Sequence, residues 1–329
     1  MSALHSQIRR TLQRHRLCPP GSRVLVGLSG GSDSVALARI LVELAPSGGF
    51  EVVGLAHLNH RLRPTAGRDE SFCVVLARDM GLPLDVESAD VTGYAASQQL
   101  SIEDAARRLR YDFLGRAAAR LNADRIAVGH TLDDQAETFL LKLMRGAGLK
   151  GLAGVYPRRG AVVRPLLDVS RGSLRAYLAS VGQEWVEDES NADLSNPRNR
   201  IRHRVLPELD AAYGGPTRAS LARAADLSRE DTQWLDELAG ARYRELVVSC
   251  QDCVEIDALA LLAEPAPIRR RILLQAMRSR AGGREVGLDH VEAALAVLRG
   301  DARATEVPGC RWELRRGKLV LLDQGGRSR

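Results

Sequence analysis

The stretch VLVGLSGGSDSVALARIL, residues 24–41, decides the fold, because a strand-length apolar run, a serine–glycine turn and a helical pattern follow one another without a break. Val24 to Leu28 reads as a short buried strand, and from Val35 onward Ala, Leu and Ile recur at helical spacing. Ser29 to Ser34 is then a strand-to-helix turn. Its backbone N–H groups point outward together at the positive end of the following helix, which makes it an anion cup. Gly30 and Gly31 allow positive φ and a close approach of phosphate oxygens. The same residues also allow a plain turn with Ser32 or Asp33 as helix N-cap. Neither the Walker pattern nor the spaced G-x-G-x-x-G fingerprint is present. Asp33 would repel bare phosphates, so a phosphate held here requires a divalent cation between them, and Mg²⁺ is the expected one.

The chain has 329 residues and 45% hydrophobic content, enough for two domains with a sizeable core. Lys+Arg of 47 against Asp+Glu of 41 gives a net charge of +6, a mild excess that suits a polyanionic partner. Nearly all of it is arginine, which forks phosphates bidentately. The amphipathic start MSALHSQIRRTLQRH lacks the apolar core of a signal peptide, and no later run reaches membrane-spanning length. A cytoplasmic protein with no membrane contact is expected. Five cysteines without a regular framework fit a reducing compartment. Cys250 and Cys253 form a C-x-x-C with no second pair in register, so two ordinary residues near a strand outweigh a metal-ligand reading.

Strand-like and helical patterns alternate through the first two-thirds: Val52 to Leu58, Glu70 to Met80, Leu84 to Val86, Ser101 to Leu121, Ile126 to Gly129, Thr131 to Arg145, Ala161 to Leu166 and Arg171 to Leu178. Such alternation predicts an α/β fold, a doubly wound parallel sheet with helices on both faces. Ligands of these sheets bind beyond the carboxyl ends of the strands, which puts Ser29, His57 and His130 on one rim. Gly214-Gly215-Pro216 breaks the pattern. We expect a catalytic domain over residues 1–212. A smaller, mostly helical α+β domain is expected over 213–329, starting with a helix from Thr217 to Val247 whose Leu221, Ala225, Leu227, Trp234, Leu235 and Leu238 suggest one apolar face.

In GHTLDDQAET, residues 129–138, His130, Asp133, Asp134 and Glu137 fall at i, i+3, i+4 and i+7, on one side of a helix that opens straight after a strand. The helix dipole accounts for one or two first-turn acids. Three acids and a histidine at a ligand rim point to function: holding Mg²⁺, accepting a proton or clasping an ammonium group. Arg107 and Arg110 lie on a helix whose start, Ser101 to Asp104, carries a capping-box pattern. NRIRHR, residues 199–204, is a basic run that suits a phosphate backbone or an anionic substrate as well as a solvated helix start. HLNHRLR, residues 57–63, reads as a rim loop.

SGGSDS, residues 29–34, resembles the PP-loop of the N-type ATP pyrophosphatases, which cleave ATP between the α and β phosphates. The wider set comprises the 57–63 loop, Ser101-Ile102-Glu103, Ala105-Ala106-Arg107, the 129–138 stretch, Arg145-Gly146 and Arg164-Pro165-Leu166-Leu167. It continues with Trp185, Glu187 to Asn191, Arg198-Asn199 and Arg202. Together these resemble the tRNA(Ile)-lysidine synthetases, densely over residues 20–210 and faintly around Pro308-Gly309. The resemblance is to the short form, without the further C-terminal domains of many members. It implies ATP-dependent attachment of L-lysine to C2 of the wobble cytidine of an isoleucine tRNA with a CAU anticodon, through an adenylated cytidine. It further implies that Ser29, Gly30, Gly31, Ser32, Asp33 and Ser34 cradle the pyrophosphate, with Asp33 and Asp134 on Mg²⁺, and that Ala56 and His57 border the adenine. Glu137 would hold the lysine ammonium with Asp134, beside His130 and Asp133, while Arg107 or Arg110 would stabilise the α-phosphate. Arg164, Arg198, Asn199 and Arg202 are weaker candidates for the tRNA or lysine site, and a homodimer is compatible with this reading. A tRNA cytidine thiolase is the alternative, although those enzymes carry their C-x-x-C within the catalytic domain.

Overall fold

The first apolar run forms a strand at the centre of a six-stranded sheet. The computed structural model describes residues 2–62, 65–187 and 193–323, and the chain parts into two compact units, Met1–Ser228 and Arg229–Arg329. The first contains α1 (Ala3–Arg14), β1 (Arg23–Gly27), α2 (Ser32–Gly48), β2 (Glu51–Asn59), α3 (Ala66–Asp79), β3 (Leu84–Ser88), α4 (Val91–Gln98), α5 (Ile102–Arg120), β4 (Arg125–Ala127) and α6 (Leu132–Met144). After these come α7 (Leu149–Leu152), β5 (Arg158–Arg159), β6 (Val162–Val163), α8 (Arg171–Ser180), α9 (Pro197–Arg200), a π-helical turn (Ile201–Val205) and α10 (Leu206–Tyr213). The long α11 (Thr217–Leu246) runs past the end of this unit.

Strand order is β3-β2-β1-β4-β6-β5, parallel except for the β5–β6 hairpin. The pleat sends alternate residues to opposite faces. Val24 and Val26 accordingly join a core with α1, α2, α3 and α8, while Leu25 joins Phe113, Leu114 and Ala117 of α5 on the other face. The doubly wound sheet expected from the sequence is therefore present. The chain steps outward from β1 to β2 and β3, then returns to lay β4 on the other side of β1. Strand order reverses between β1 and β4, and the loops leaving these two strands flank the crevice where such sheets bind ligands.

The second unit pairs β7 (Val247–Ser249), β8 (Cys253–Asp257), β11 (Lys318–Asp323), β10 (Cys310–Arg315) and β9 (Ala304–Val307) in an antiparallel sheet. Helices α12 (Ala258–Ala263), α13 (Ala266–Arg280) and α14 (Leu288–Arg299) accompany it, and Trp312 lies fully buried in the shared core.

Several expectations shift. The anticipated strand over Ala161 to Leu166 shrinks to Val162–Val163, because Pro165 has no N–H to donate to a ladder. The amphipathic start forms α1, and α4 is a helix outside the expected alternation. The C-terminal part is the mostly helical α+β unit expected, and its two expected β runs pair with one another within five strands. The units part at Ser228/Arg229 rather than at 212/213, because Leu221 of α11 packs on the cluster of Ala136, Leu140, Ile201 and Leu206. Of the single apolar face expected on α11, Leu221, Ala225 and Leu235 are covered, whereas Leu227, Trp234 and Leu238 are exposed and Ser228, Thr232 and Ala239 are buried in their place.

Candidate functional site

Gly30 has φ +85°, which swings the chain out of β1 and into the cup. Gly31 is the N-cap of α2 and no side chain among the described residues caps the helix, so neither Ser32 nor Asp33 takes the N-cap place of a plain turn. The hydroxyls turn inward instead: the Ser29 N–H donates to Ser34 Oγ at 3.0 Å, and Ser34 Oγ donates to the Gly31 carbonyl at 3.0 Å. This bracing fixes the loop, with the Ser34 N–H donating to the Gly31 carbonyl at 3.1 Å, and leaves the Ser32 and Asp33 N–H groups of α2 to an incoming anion.

The β4–α6 turn meets that cup directly. A Cβ on Gly129 would lie 3.1 Å from the Asp33 carbonyl and the Ser34 nitrogen, so only glycine allows the two loops to come this close. Thr131 caps α6 through the Asp134 N–H, and Asp134 Oδ2 accepts in return from the Thr131 N–H at 2.8 Å. The free Oδ1 of Asp134 faces cations: Arg198 Nη2 at 3.0 Å and Arg171 Nη2 at 3.3 Å. Arg171 also donates from Nε to Asp33 Oδ2 at 2.9 Å, so one guanidinium edge joins the cup to the acid helix. Glu137, fully buried, receives Arg198 Nε at 2.7 Å and Arg202 Nε at 2.7 Å.

Burial pushes the Asp33 carboxyl above its ordinary value, despite the pull of Arg171. Burial also acts to raise Asp134, but Arg198, Arg171, His130 and the Thr131 amide outweigh it, and Asp134 is held well below the usual carboxylate range. His130 is depressed, by burial first and then by Arg164, Arg110 and Arg198 against the attraction of Asp134. It is therefore a neutral imidazole at pH 7, and its buried Nδ1 has no hydrogen-bond partner among the described residues.

A second group of cations surrounds Tyr111. Arg107 and Arg110 lie over its ring at 5.1 and 5.4 Å, and Arg164 Nη2 donates to its hydroxyl at 3.3 Å. Among the described residues no carboxylate forms an ion pair with Arg107, Arg110 or Arg164. Three guanidinium groups without counter-charge, one of them buried, form a site ready for an anion beside the carboxylates.

Other expected residues sit elsewhere. Asp133 accepts from the Arg171 backbone N–H at 2.8 Å and pairs with Arg218 at 3.0 Å, so it braces α8 and α11 instead of facing the cup. His57 is buried, with Nδ1 2.9 Å from the Leu28 carbonyl, and the Ala56 carbonyl accepts from the Leu28 N–H at 2.8 Å, so both lie against the exit of β1. Asn199 donates to the Asp193 carbonyl at 2.9 Å and pins its own loop. Arg63 and residues 188–191 lie outside the described residues.

No sequence pattern marks Arg171. It stands 138 residues from Asp33 and 37 from Asp134, and its only visible trait was a helix start beyond a strand-like run. Arg175, one turn on, reaches Ser32 Oγ at 3.5 Å and was missed for the same reason.

Fold and site together define a doubly wound α/β domain with an anion cup and a carboxylate helix at its switch point. Residues 3–209 match the model of the PP-loop domain, and the chain belongs to that family. Similar curated proteins include the tRNA(Ile)-lysidine synthases of Symbiobacterium thermophilum and Geobacter sulfurreducens. The first is 39% identical over 85% of this chain and 60% of its own length, the second 39% over 89% and 63%. A third, from Deinococcus deserti, is 43% identical over 67% of this chain and 40% of its own. The chain thus spans about three-fifths of the length of the first two. Among solved structures, the U34-tRNA thiolase NcsA of Methanococcus maripaludis, described with its [4Fe-4S] cluster, superposes with a TM-score of 0.57. At 17% identity over 69% of this chain and 78% of its own, it speaks for the fold alone.

Proposed function

We propose that the protein is a ligase that joins L-lysine to C2 of the wobble cytidine of a CAU-anticodon isoleucine tRNA, forming lysidine and changing codon reading from AUG to AUA. The observation that carries this reading is the Arg171 bridge. It holds a phosphate cup and an amine-binding carboxylate pair at one point, as a reaction needs that uses a triphosphate and then an amine on the same carbon.

The cytidine C2 oxygen attacks the α-phosphorus of ATP, forming a C–O–P linkage and releasing pyrophosphate. The uncapped turn of α2, from Ser29 to Ser34, would receive the pyrophosphate through its amides. Arg107, Arg110 and Arg164 would balance the charge that builds on the α-phosphate, an effect of several kcal/mol in a dry site. Ala56 and His57 would border the adenine. Asp33 and Asp134 are hard oxygen donors that converge on one guanidinium edge, a donor set that fits Mg²⁺, and they would hold it. When bound, the ion would offset pyrophosphate charge.

Glu137 and Asp134, now satisfied by arginines, would exchange part of that pairing for the lysine ammonium. A free amine of pKa roughly 10.4 must lose a proton before it attacks. The neutral His130 would take that proton or pass it to solvent, while Asp134, held well below the usual carboxylate range, is the weaker base and would hold the ammonium. Attack at C2 forms the C–N bond and expels AMP, a far better leaving group than a bare oxygen. Arg198 and Arg202 would position the carboxylates, and a tRNA substrate would be met in the cytoplasm. Among the described residues no helix is long and apolar enough to cross a membrane.

Purified protein with CAU-anticodon tRNA, ATP, Mg²⁺ and labelled lysine is expected to release AMP only when lysine is present and to transfer the label to the tRNA. Label that stays free overturns the proposal. Thiolation is not favoured, since Cys250 and Cys253 fall outside the PP-loop domain.

A further inference from the structure

Outside the PP-loop domain, the tip of the β7–β8 hairpin brings Cys250, Cys253 and Glu255 together, with one ligand atom from each lying within 4.8 Å of the others. We infer that these three side chains form a zinc site with one coordination position open to solvent.

The local sequence makes this cluster. Cys253 and Glu255 alternate with the buried Val254 and Ile256, so the pleat carries both ligands to the face away from the core. Cys250 closes the turn by donating its N–H to the Cys253 carbonyl at 2.9 Å, which brings its exposed thiol over that face. Tetrahedral zinc, at about 2.3 Å from sulfur and about 2.1 Å from oxygen, needs ligand atoms roughly 3.6–3.8 Å apart. The cluster must therefore contract by about 1.2 Å at most, which side-chain rotation supplies.

The turn is held in shape before any ion arrives. Arg280 donates to the carbonyls of Cys250 at 2.6 Å, Gln251 at 2.9 Å and Cys253 at 3.0 Å, and is itself anchored on Asp323 at 2.9 Å. Lys318 takes Oε2 of Glu255 at 2.5 Å, which leaves Oε1 for a metal. These contacts orient ligands as outer-shell groups do at metal centres.

The donor set selects the ion. Two sulfurs are poor ligands for the oxygen-preferring Mg²⁺ and Ca²⁺, and a cubane cluster needs more thiolates than this turn offers. A thiophilic ion with no geometric demand of its own, zinc, suits two sulfurs, one carboxylate oxygen and a water. Bound there, it would tie β7, the outermost strand on its side of the sheet, to β8.

The full chain, reduced with a phosphine and stripped with a chelator, is titrated with Co²⁺ and then Zn²⁺. A sulfur-to-cobalt charge-transfer band is expected, saturating at one ion per chain and bleached by zinc. It should vanish in Cys250→Ser and in Cys253→Ser, and Glu255→Gln should weaken the affinity roughly tenfold or more. Neither cysteine side chain belongs to the core, so circular dichroism of the variants should match that of the parent chain. No band, a band that persists in either cysteine variant, or an affinity unmoved by Glu255→Gln overturns the inference. None of these readings involves ATP, lysine or tRNA, so the outcome is independent of the proposed ligation.

Discussion

Asp134 does three things at once: it completes the cap of α6, carries charge at the cup, and neutralises Arg171 and Arg198. Asp134→Asn keeps the shape and removes the charge. Turnover is expected to fall at least a hundredfold with the far-ultraviolet spectrum unchanged, and near-normal turnover would take Asp134 out of the site. Glu137→Gln strands part of the charge of Arg198 and Arg202 in a buried place, so a loss of about 3 kcal/mol is expected by denaturant titration. His130 gives the pH dependence. Its folded value lies below its unfolded value of about 6.5, so the unfolded chain binds the extra proton and stability falls as pH drops below about 6.5. Asp134, also depressed, adds a loss in the same sense at lower pH, and Asp33, raised, opposes it within the carboxylate range. Thermal melts of His130→Gln should show a smaller drop in Tm between about pH 7.5 and pH 5 than the parent chain.

At the scale of elements, two turns decide the site. The cup between β1 and α2 could be read from SGGSDS, and the capped acid face of α6 from the spacing of Asp133, Asp134 and Glu137. Their contact could not be read, because it depends on β4 returning beside β1. Gly129 is where the contact shows, and Gly129→Ala should push Asp33 and Ser34 apart from α6. A cost of about 1–3 kcal/mol is expected, together with weaker binding of ATP measured by calorimetry. Unchanged ATP affinity in a folded variant would separate the two turns. The same limit hid the true role of Asp133, whose helical position promised a place at the cup but whose partners are Arg218 and the start of α8.

At the scale of the molecule, the two units have separate hydrophobic clusters, one built on β1 and α2 and the other around Trp312. Trp312→Ala removes a fully buried side chain and should cost the second unit about 3–5 kcal/mol. Scanning calorimetry is expected to move one heat-absorption component of the variant downward while ATP-dependent stabilisation of the other persists. A single component moving as a whole would mean that the clusters melt together through α11. The sequence by itself determined the α/β class, the phosphate cup and the acidic helix, because strand, turn and helix signals act over a few residues. Only the tertiary structure decided that Arg171 joins Asp33 to Asp134, that Asp133 serves as a brace, and that Arg107, Arg110 and Arg164 gather round Tyr111. Those pairings span tens of residues or more and are set by the order of strands in the sheet, which no local pattern of residues encodes.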